Sequence, residues 1–165
     1  MIVRDARVAD ADEIAGITNA IIRDTLITFT TAERQPSDIA EEITHRGNAF
    51  WVAEADGHVM GFATYSAFRG GPGYRYTAEH SIQIADAARG QGVGRALMQR
   101  LEQGAIQNGI HVLVAGISSA NPGAVSFHAA LGFRQVGHMP GVGFKSGQWL
   151  DLVLMQKNLA AHTKA

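Results

Sequence analysis

Residues 89–98 read RGQGVGRALM. Gly90, Gly92 and Gly94 alternate with Gln91 and Val93, Arg89 and Arg95 flank them, and an apolar pattern of helical spacing follows through Leu97, Leu101 and Ala105. A helix N-terminus presents unsatisfied N–H groups and a partial positive charge. Glycines let that backbone approach an anion closely and adopt dihedrals that other residues avoid. The two arginines add charge and forked donors. The natural occupant is a pyrophosphate. The plain alternative is a turn that opens a helix for packing reasons, at the helix-propensity cost of its glycines.

Two common pyrophosphate loops do not fit. The Walker loop needs a Gly-Lys pair, which the chain lacks. The dinucleotide fingerprint GxGxxG follows the first strand of a βαβ unit. Here Gly92-Val93-Gly94 is followed by Leu97 where a glycine should stand, and the loop lies mid-chain.

Around the loop the sequence reads as one domain spanning residues 1–165. Its length suits a single core that buries roughly two-thirds of the chain's surface. Apolar residues make up 46%, the formal net charge is −1, and there is no cysteine. No basic cluster suits nucleic acid or an anionic membrane. Disulfides, cysteine nucleophiles and cysteine zinc sites are excluded. The seven histidines show no HExxH or other ligand spacing, so no metal is expected. The start, MIVRDARVADADE, has acids where a signal peptide needs an apolar run, which points to a soluble cytoplasmic protein.

Periodicity gives the element order β-α-α-β-β-β-α-β-α-β-β. A strand over Ile2–Arg7 precedes a helix, capped by Asp10 or Asp12, that turns Ile14, Ile17, Ile21 and Ile22 inward. Pro36 opens a second helix with Ile39 and Ile43 inward. Asp56-Gly57 is a hairpin turn between strands over 50–54 and 60–68. A strand over 76–84 leads into the glycine loop and the helix over 92–108. A buried strand over 112–117, a helix over 121–130 capped by Asn121, a strand through Val136 and a strand over 149–155 complete the chain. The glycine-rich stretches 70–73 and 137–147 read as loops near ligand or another chain. The class is α/β (α+β), a mixed, mostly antiparallel central sheet of about six to seven strands with helices on both faces.

Arg89-Gly90-Gln91-Gly92-Val93-Gly94, after the strand Ser81-Ile82-Gln83-Ile84, matches the [RQ]-x-x-G-x-[GA] coenzyme loop. Downstream, Asn121, Ala124, Phe127 and Leu131-Gly132-Phe133 follow in the order N-x-x-A-x-x-[FL]-x-x-x-L-G-F. Together these motifs resemble the GNAT superfamily of N-acetyltransferases. Tyr76-Thr77-Ala78-Glu79-His80-Ser81-Ile82, Phe127-His128, and the segment from Gly143 to Asp151 resemble the phosphinothricin and methionine sulfoximine N-acetyltransferases in particular. Ile27-Thr28-Phe29-Thr30 is similar to that subfamily's substrate-side loop. The departure is the glycine-rich stretch Arg69–Arg75, where relatives vary.

The resemblance implies acetyl-CoA as co-substrate and direct attack by a neutral α-amine on the thioester carbonyl. A free α-ammonium titrates near about pH 8 in peptides, so a base helps. Glu79 is the candidate general base, with an exposed or ion-paired strand glutamate as its plain reading. His128 can protonate the leaving thiolate or assist deprotonation, with a structural helix histidine as its plain reading. His80 points to the opposite strand face from Glu79. In this family the strand carrying Ile82, Gln83 and Ile84 splays from its neighbour, and a backbone N–H on Gln83 or Ile84 serves the oxyanion. Arg89, Gly90, Gln91, Gly92, Val93, Gly94 and Arg95 hold the pyrophosphate, and Asn121 contacts the pantetheine arm. Arg69 and Arg75 suit a substrate carboxylate. Phe29, Thr30 and Tyr74 line the pocket, and Lys145 reaches into a neighbouring subunit's site in a homodimer.

Three functions follow the coenzyme reading. One is acetylation of glutamate- or methionine-like analogues. The second is acetylation of another amine, such as a protein N-terminus or a polyamine. The third is a non-catalytic acyl-CoA-binding module.

Overall fold

The structure, a computed structural model, describes residues 1–159. Its elements follow the order expected from the sequence. They are β1 (Ile2–Asp5), α1 (Ala11–Asp24), α2 (Pro36–Arg46), β2 (Phe50–Ala55), β3 (His58–Ala67), β4 (Thr77–Ile84), α3 (Val93–Gln107), β5 (Val112–Ser118), α4 (Pro122–Ala130), β6 (Arg134–Lys145) and β7 (Gln148–Asn158). They form one seven-stranded sheet in the order β1-β2-β3-β4-β5-β7-β6. Only the crossover through α3 gives a parallel pair, β4 with β5; every other neighbouring pair is antiparallel.

Each face of the sheet carries its own core. Ile14, Ile39 and Ile43 of α1 and α2 cover Phe50, Val52 and Phe62 on one side. Leu97, Met98 and Leu101 of α3 cover Trp51, Ala63, Ala78 and Leu113 on the other. The i, i+3, i+4 spacing of the apolar residues sets these faces. Among the described residues no helix is long and apolar enough to cross a membrane.

Two local expectations change. Asp10 stands at the N-cap of α1, yet its carboxylate does not cap that helix. It accepts from the Arg7 amide at 2.7 Å and from both terminal nitrogens of Arg4 at 2.8 Å, because a bidentate guanidinium competes well for a carboxylate. Burial opposes ionisation of Asp10, but these donors outweigh it and hold the carboxyl below its usual range.

The stretch from Gly137 to Lys145 is not a loop. It continues β6, whose pairing with β7 shifts between Gln135 and Gly137 and again between Met139 and Gly143. Glycine weakens a strand, but β6 is an edge strand, where bulges absorb irregular residues. Asp151 of β7 pins the second bulge by accepting from the Gly141 amide at 2.8 Å and pairing with His138 at 2.7 Å. Gly143 has a packing reason: a Cβ there would fall 2.6 Å from the Phe29 ring.

β4 and β5 pair at only three positions, Thr77–Val112, Ala78–Leu113 and Glu79–Val114. Past Glu79 the strands part, while β5 stays paired with β7 to its end. The sheet is split from residue 80 onward, directly before the glycine loop.

Candidate active site

The split in the sheet opens a cavity of about 790 Å³. Ile82 and Ile84 form one wall and Gly116 and Ile117 the other. One end meets Gly90, Gly92, Gly94 and Arg95 at the start of α3, and Asn121, Phe127 and His128 of α4. The other end meets Ile21, Ile27 and Thr28 at the end of α1 and beyond. The cavity therefore joins the two faces of the sheet, with the glycine-rich start of α3 on one side.

Hydrogen-bond phase decides which β4 amides face the gap. Ala85 N–H donates to Met60 and Phe68 N–H donates to Thr77, so residues 77 and 85 bond toward β3. Antiparallel bonding alternates, which turns the groups of residues 79, 81 and 83 toward β3 as well. The amides of Ile82 and Ile84 then face the split. The expectation for Gln83 is corrected: its backbone N–H points away from the cavity and cannot serve an oxyanion there. Its side chain does line the cavity, and its Oε1 is buried without a hydrogen-bond partner among the described residues.

The glycine loop has the expected backbone. Gly90 and Gly92 have φ of 75° and 81°, with open space where a Cβ would stand. Gly92 is the N-cap of α3 and supplies no side chain to its first amides, so those amides are available to an anion. Gly94 differs, because a Cβ there would lie 3.2 Å from the Phe127 ring, and this glycine also lets α4 approach α3. Arg89 and Arg95 line the cavity, with Arg89 also 3.5 Å from Asp86. Val93 is buried beneath the loop. Gln91 is the exception among the loop residues: its amide donates to the Ala87 carbonyl and braces the turn. Asn121 caps α4 by accepting from Ala124 N–H, and it also borders the cavity.

Glu79 occupies the last β4–β5 pair, at the apex of the split, on the strand face opposite His80. It is exposed, and among the described residues its carboxylate makes no hydrogen bond or ion pair. His80 and His128 are both buried in the cavity wall, with their Nε2 atoms 2.9 Å apart. Burial lowers both pKa values; His80, also facing His128, falls to about 3.

The predicted substrate-side residues separate into two groups. Arg69, Tyr74 and Arg75 lie outside the cavity wall, on the β3–β4 connection. Arg69 packs over Phe68 at 5.5 Å, Arg75 over Tyr76 at 4.6 Å, and Tyr74 meets Phe68 edge-on at 6.2 Å. Among the described residues neither arginine has an acidic partner. Phe29 covers Gly143, and Thr30 accepts from Ala32 N–H; the segment reaches the cavity instead through Ile27 and Thr28. Lys145 is corrected most. It is 4% exposed, and its ammonium donates to the carbonyl and hydroxyl of Thr28 in its own chain, at 3.0 and 3.3 Å. The longer β6 places Lys145 opposite Gln148 and carries it inward rather than toward a neighbour.

A sheet split after three parallel pairs, beside a glycine-capped helix, is the frame of an enzyme that binds an acyl-coenzyme. The acetyltransferase (GNAT) family matches residues 16–133. The L-methionine sulfoximine/L-methionine sulfone acetyltransferase of Pseudomonas aeruginosa is 40% identical over 95% of this chain and 94% of its own. The phosphinothricin N-acetyltransferase of Alcaligenes faecalis is 36% identical over 94% and 82%. A Salmonella typhimurium protein solved with its cofactor acetyl-CoA superposes with a TM-score of 0.94 at 36% identity, over 100% of this chain and 97% of that one. The chain belongs to the GNAT acetyltransferase family. With that family it is an acetyl-CoA-dependent acyltransferase.

Proposed function

We propose that this enzyme moves acetyl from acetyl-CoA to the α-amine of a small amino-acid analogue: methionine sulfoximine, methionine sulfone or phosphinothricin. The observation that carries the reading is the cavity through the sheet, which lets a coenzyme on the α3–α4 face meet an amine on the other face. The names of the two relatives supply the substrate class.

The pyrophosphate rests on the amides of residues 90–95 with Arg89 and Arg95. The thioester carbonyl lies against the Ile82 and Ile84 amides, which stabilise charge only as it develops on oxygen. Glu79, at the apex and without a partner among the described residues, takes the amine proton through a bridging water. The C–N bond forms, the C–S bond breaks, and its electron pair leaves with sulfur.

The enzyme acts as a homodimer in the cytoplasm. Phe144 and Trp149 support the dimer: their tilted rings meet at 4.8 Å on the β6–β7 hairpin, yet are 55% and 72% exposed. An edge strand with exposed aromatic residues suits a second copy.

Thiol release from acetyl-CoA tests the reading against the three analogues, the common amino acids, a polyamine and an N-terminal peptide. Release with the analogues supports it. Release confined to the peptide or polyamine replaces the substrate, and binding without release to any amine supports the acyl-CoA-binding module.

A further inference from the structure

The paired histidines carry a second conclusion, because their hydrogen bonds fix where every proton sits. His128 Nδ1 lies 2.8 Å from the Ala124 carbonyl, which can only accept. Nδ1 therefore holds the proton of a neutral His128, and its Nε2 is a bare acceptor. The donor across the 2.9 Å contact must be His80 Nε2. A neutral His80 is then bare at Nδ1; that buried atom has no partner at ordinary hydrogen-bond geometry among the described residues, although the nearby Val114 carbonyl favours a proton on this ring and partly offsets burial. Each ring has one N–H and each N–H is engaged. Neither ring aims a proton into the cavity.

The surroundings show what the bond joins. His80 is the first residue past the last β4–β5 pair. Phe133 packs against both rings, at 5.4 Å from His80 and 5.1 Å from His128. Phe127 meets His128 edge-on at 5.3 Å, and the same Phe127 rests against Gly94 in the first turn of α3. One hydrogen bond thus ties the edge of the split to α4 and, through Phe127, to the helix that begins at the anion-binding loop.

We infer that His80 and His128 are positioning residues for acetyl-CoA, a neutral clasp that sets the opening of the β4–β5 split, and not a proton-transfer pair. The inference rests on the acetyl-transfer reading only for the identity of the coenzyme. Burial of both rings agrees with it, since both resist protonation. The leaving group needs no acid from His128. A thiol of ordinary pKa, about 8.5, departs as thiolate and is protonated by water.

The test combines acetyl-CoA binding in the absence of amine, by calorimetry, with kcat against pH. The variants are His80→Leu, which removes the donor, and His80→Gln, which keeps an N–H at similar reach. Loss of the clasp should weaken acetyl-CoA binding about tenfold in His80→Leu, with kcat at saturation falling by less than about threefold and the pH profile unmoved. His80→Gln should recover most of the affinity. Nitrogen-15 NMR of the wild-type histidines supplies a readout independent of the variants' folding. His128 Nε2 should be unprotonated and His80 Nε2 protonated from pH 6 to 9. Unchanged affinity with a kcat loss of about a hundredfold and a missing limb in the pH profile would overturn the inference. So would a protonated His128 Nε2. If no amine in the panel is acetylated, the substrate reading fails alone, because the calorimetric and NMR results stand without turnover.

Discussion

The ammonium of Lys145 is bonded to Thr28, 117 residues earlier, where Thr28 borders the cavity. With Phe29 seated on Gly143 and the Ser118 hydroxyl donating to the Leu26 carbonyl at 2.8 Å, it fastens the segment after α1 to the sheet. Burial pushes the Lys145 pKa down, and no carboxylate among the described residues pairs with it. Lys145→Met should loosen Thr28 while leaving the coenzyme loop intact. KM for the amine should rise about tenfold, the equivalent of about 1.4 kcal/mol, with KM for acetyl-CoA unchanged. Initial rates with each substrate varied in turn check this, and equal rises in both KM values would contradict it.

Among the described residues Glu79 has no partner to lose, so its replacement separates proton transfer from stability. Glu79→Gln should bind acetyl-CoA as the wild type does and lose about 10²-fold or more in kcat. Stopped-flow or steady-state thiol release measures the loss. Unchanged turnover would remove Glu79 from the mechanism.

Gly104 lies in the middle of α3, where alanine is normally favoured by about 1 kcal/mol. Here a Cβ would stand 2.8 Å from Cη2 of Trp51, a large and fully buried neighbour. Overpacking should outweigh propensity, and Gly104→Ala should be destabilised by about 1–3 kcal/mol in urea denaturation. A variant as stable as the wild type would show that the Trp51 ring moves freely.

The histidine pair also predicts acid sensitivity. In the unfolded chain both rings take up protons near pH 6.5, while in the fold His80 resists until about pH 3 and His128 is shifted the same way. The His80 contribution to stability is full above pH 6.5 and is lost as pH falls toward 3, by up to about 1.4 kcal/mol per pH unit, and that of His128 is lost in the same direction. Urea denaturation at pH 7.5, 5.5 and 4.5 should show the decline, and replacing both histidines with glutamine should flatten it. A wild-type curve already flat over that range would contradict the assignment.

Light scattering tests assembly. The chain mass is 17.6 kDa, and the dimer predicts twice that. Trp149→Ser removes the most exposed aromatic side chain of the β6–β7 patch and should shift the mass toward the monomer. Wild-type protein at the monomer mass would discard the dimer.

The sequence reading reached the element order because helix and strand periods are local. The motif at Arg89–Gly94 was legible for the same reason, since loop and helix start adjoin in the chain. The full length of β6 is not legible because Gly137, Gly141 and Gly143 look like loop residues, and it takes the ring of Phe29 to explain Gly143. The bond between His80 and His128, 48 residues apart, has no sequence signal beyond the presence of two histidines. The sequence does not place the Gln83 amide, because only the bonding phase of β3 and β4 tells which amides face the gap. The contact between Lys145 and Thr28 is hidden in the sequence by their distance along the chain.

The most direct test of acetyl transfer is to incubate the enzyme with acetyl-CoA and methionine sulfone and locate the acetyl group in the product by mass spectrometry and NMR. The account predicts a product heavier by one acetyl group, carried on the α-nitrogen, formed in step with free thiol. Bound acetyl-CoA with no acetylated methionine sulfone, methionine sulfoximine or phosphinothricin would contradict it.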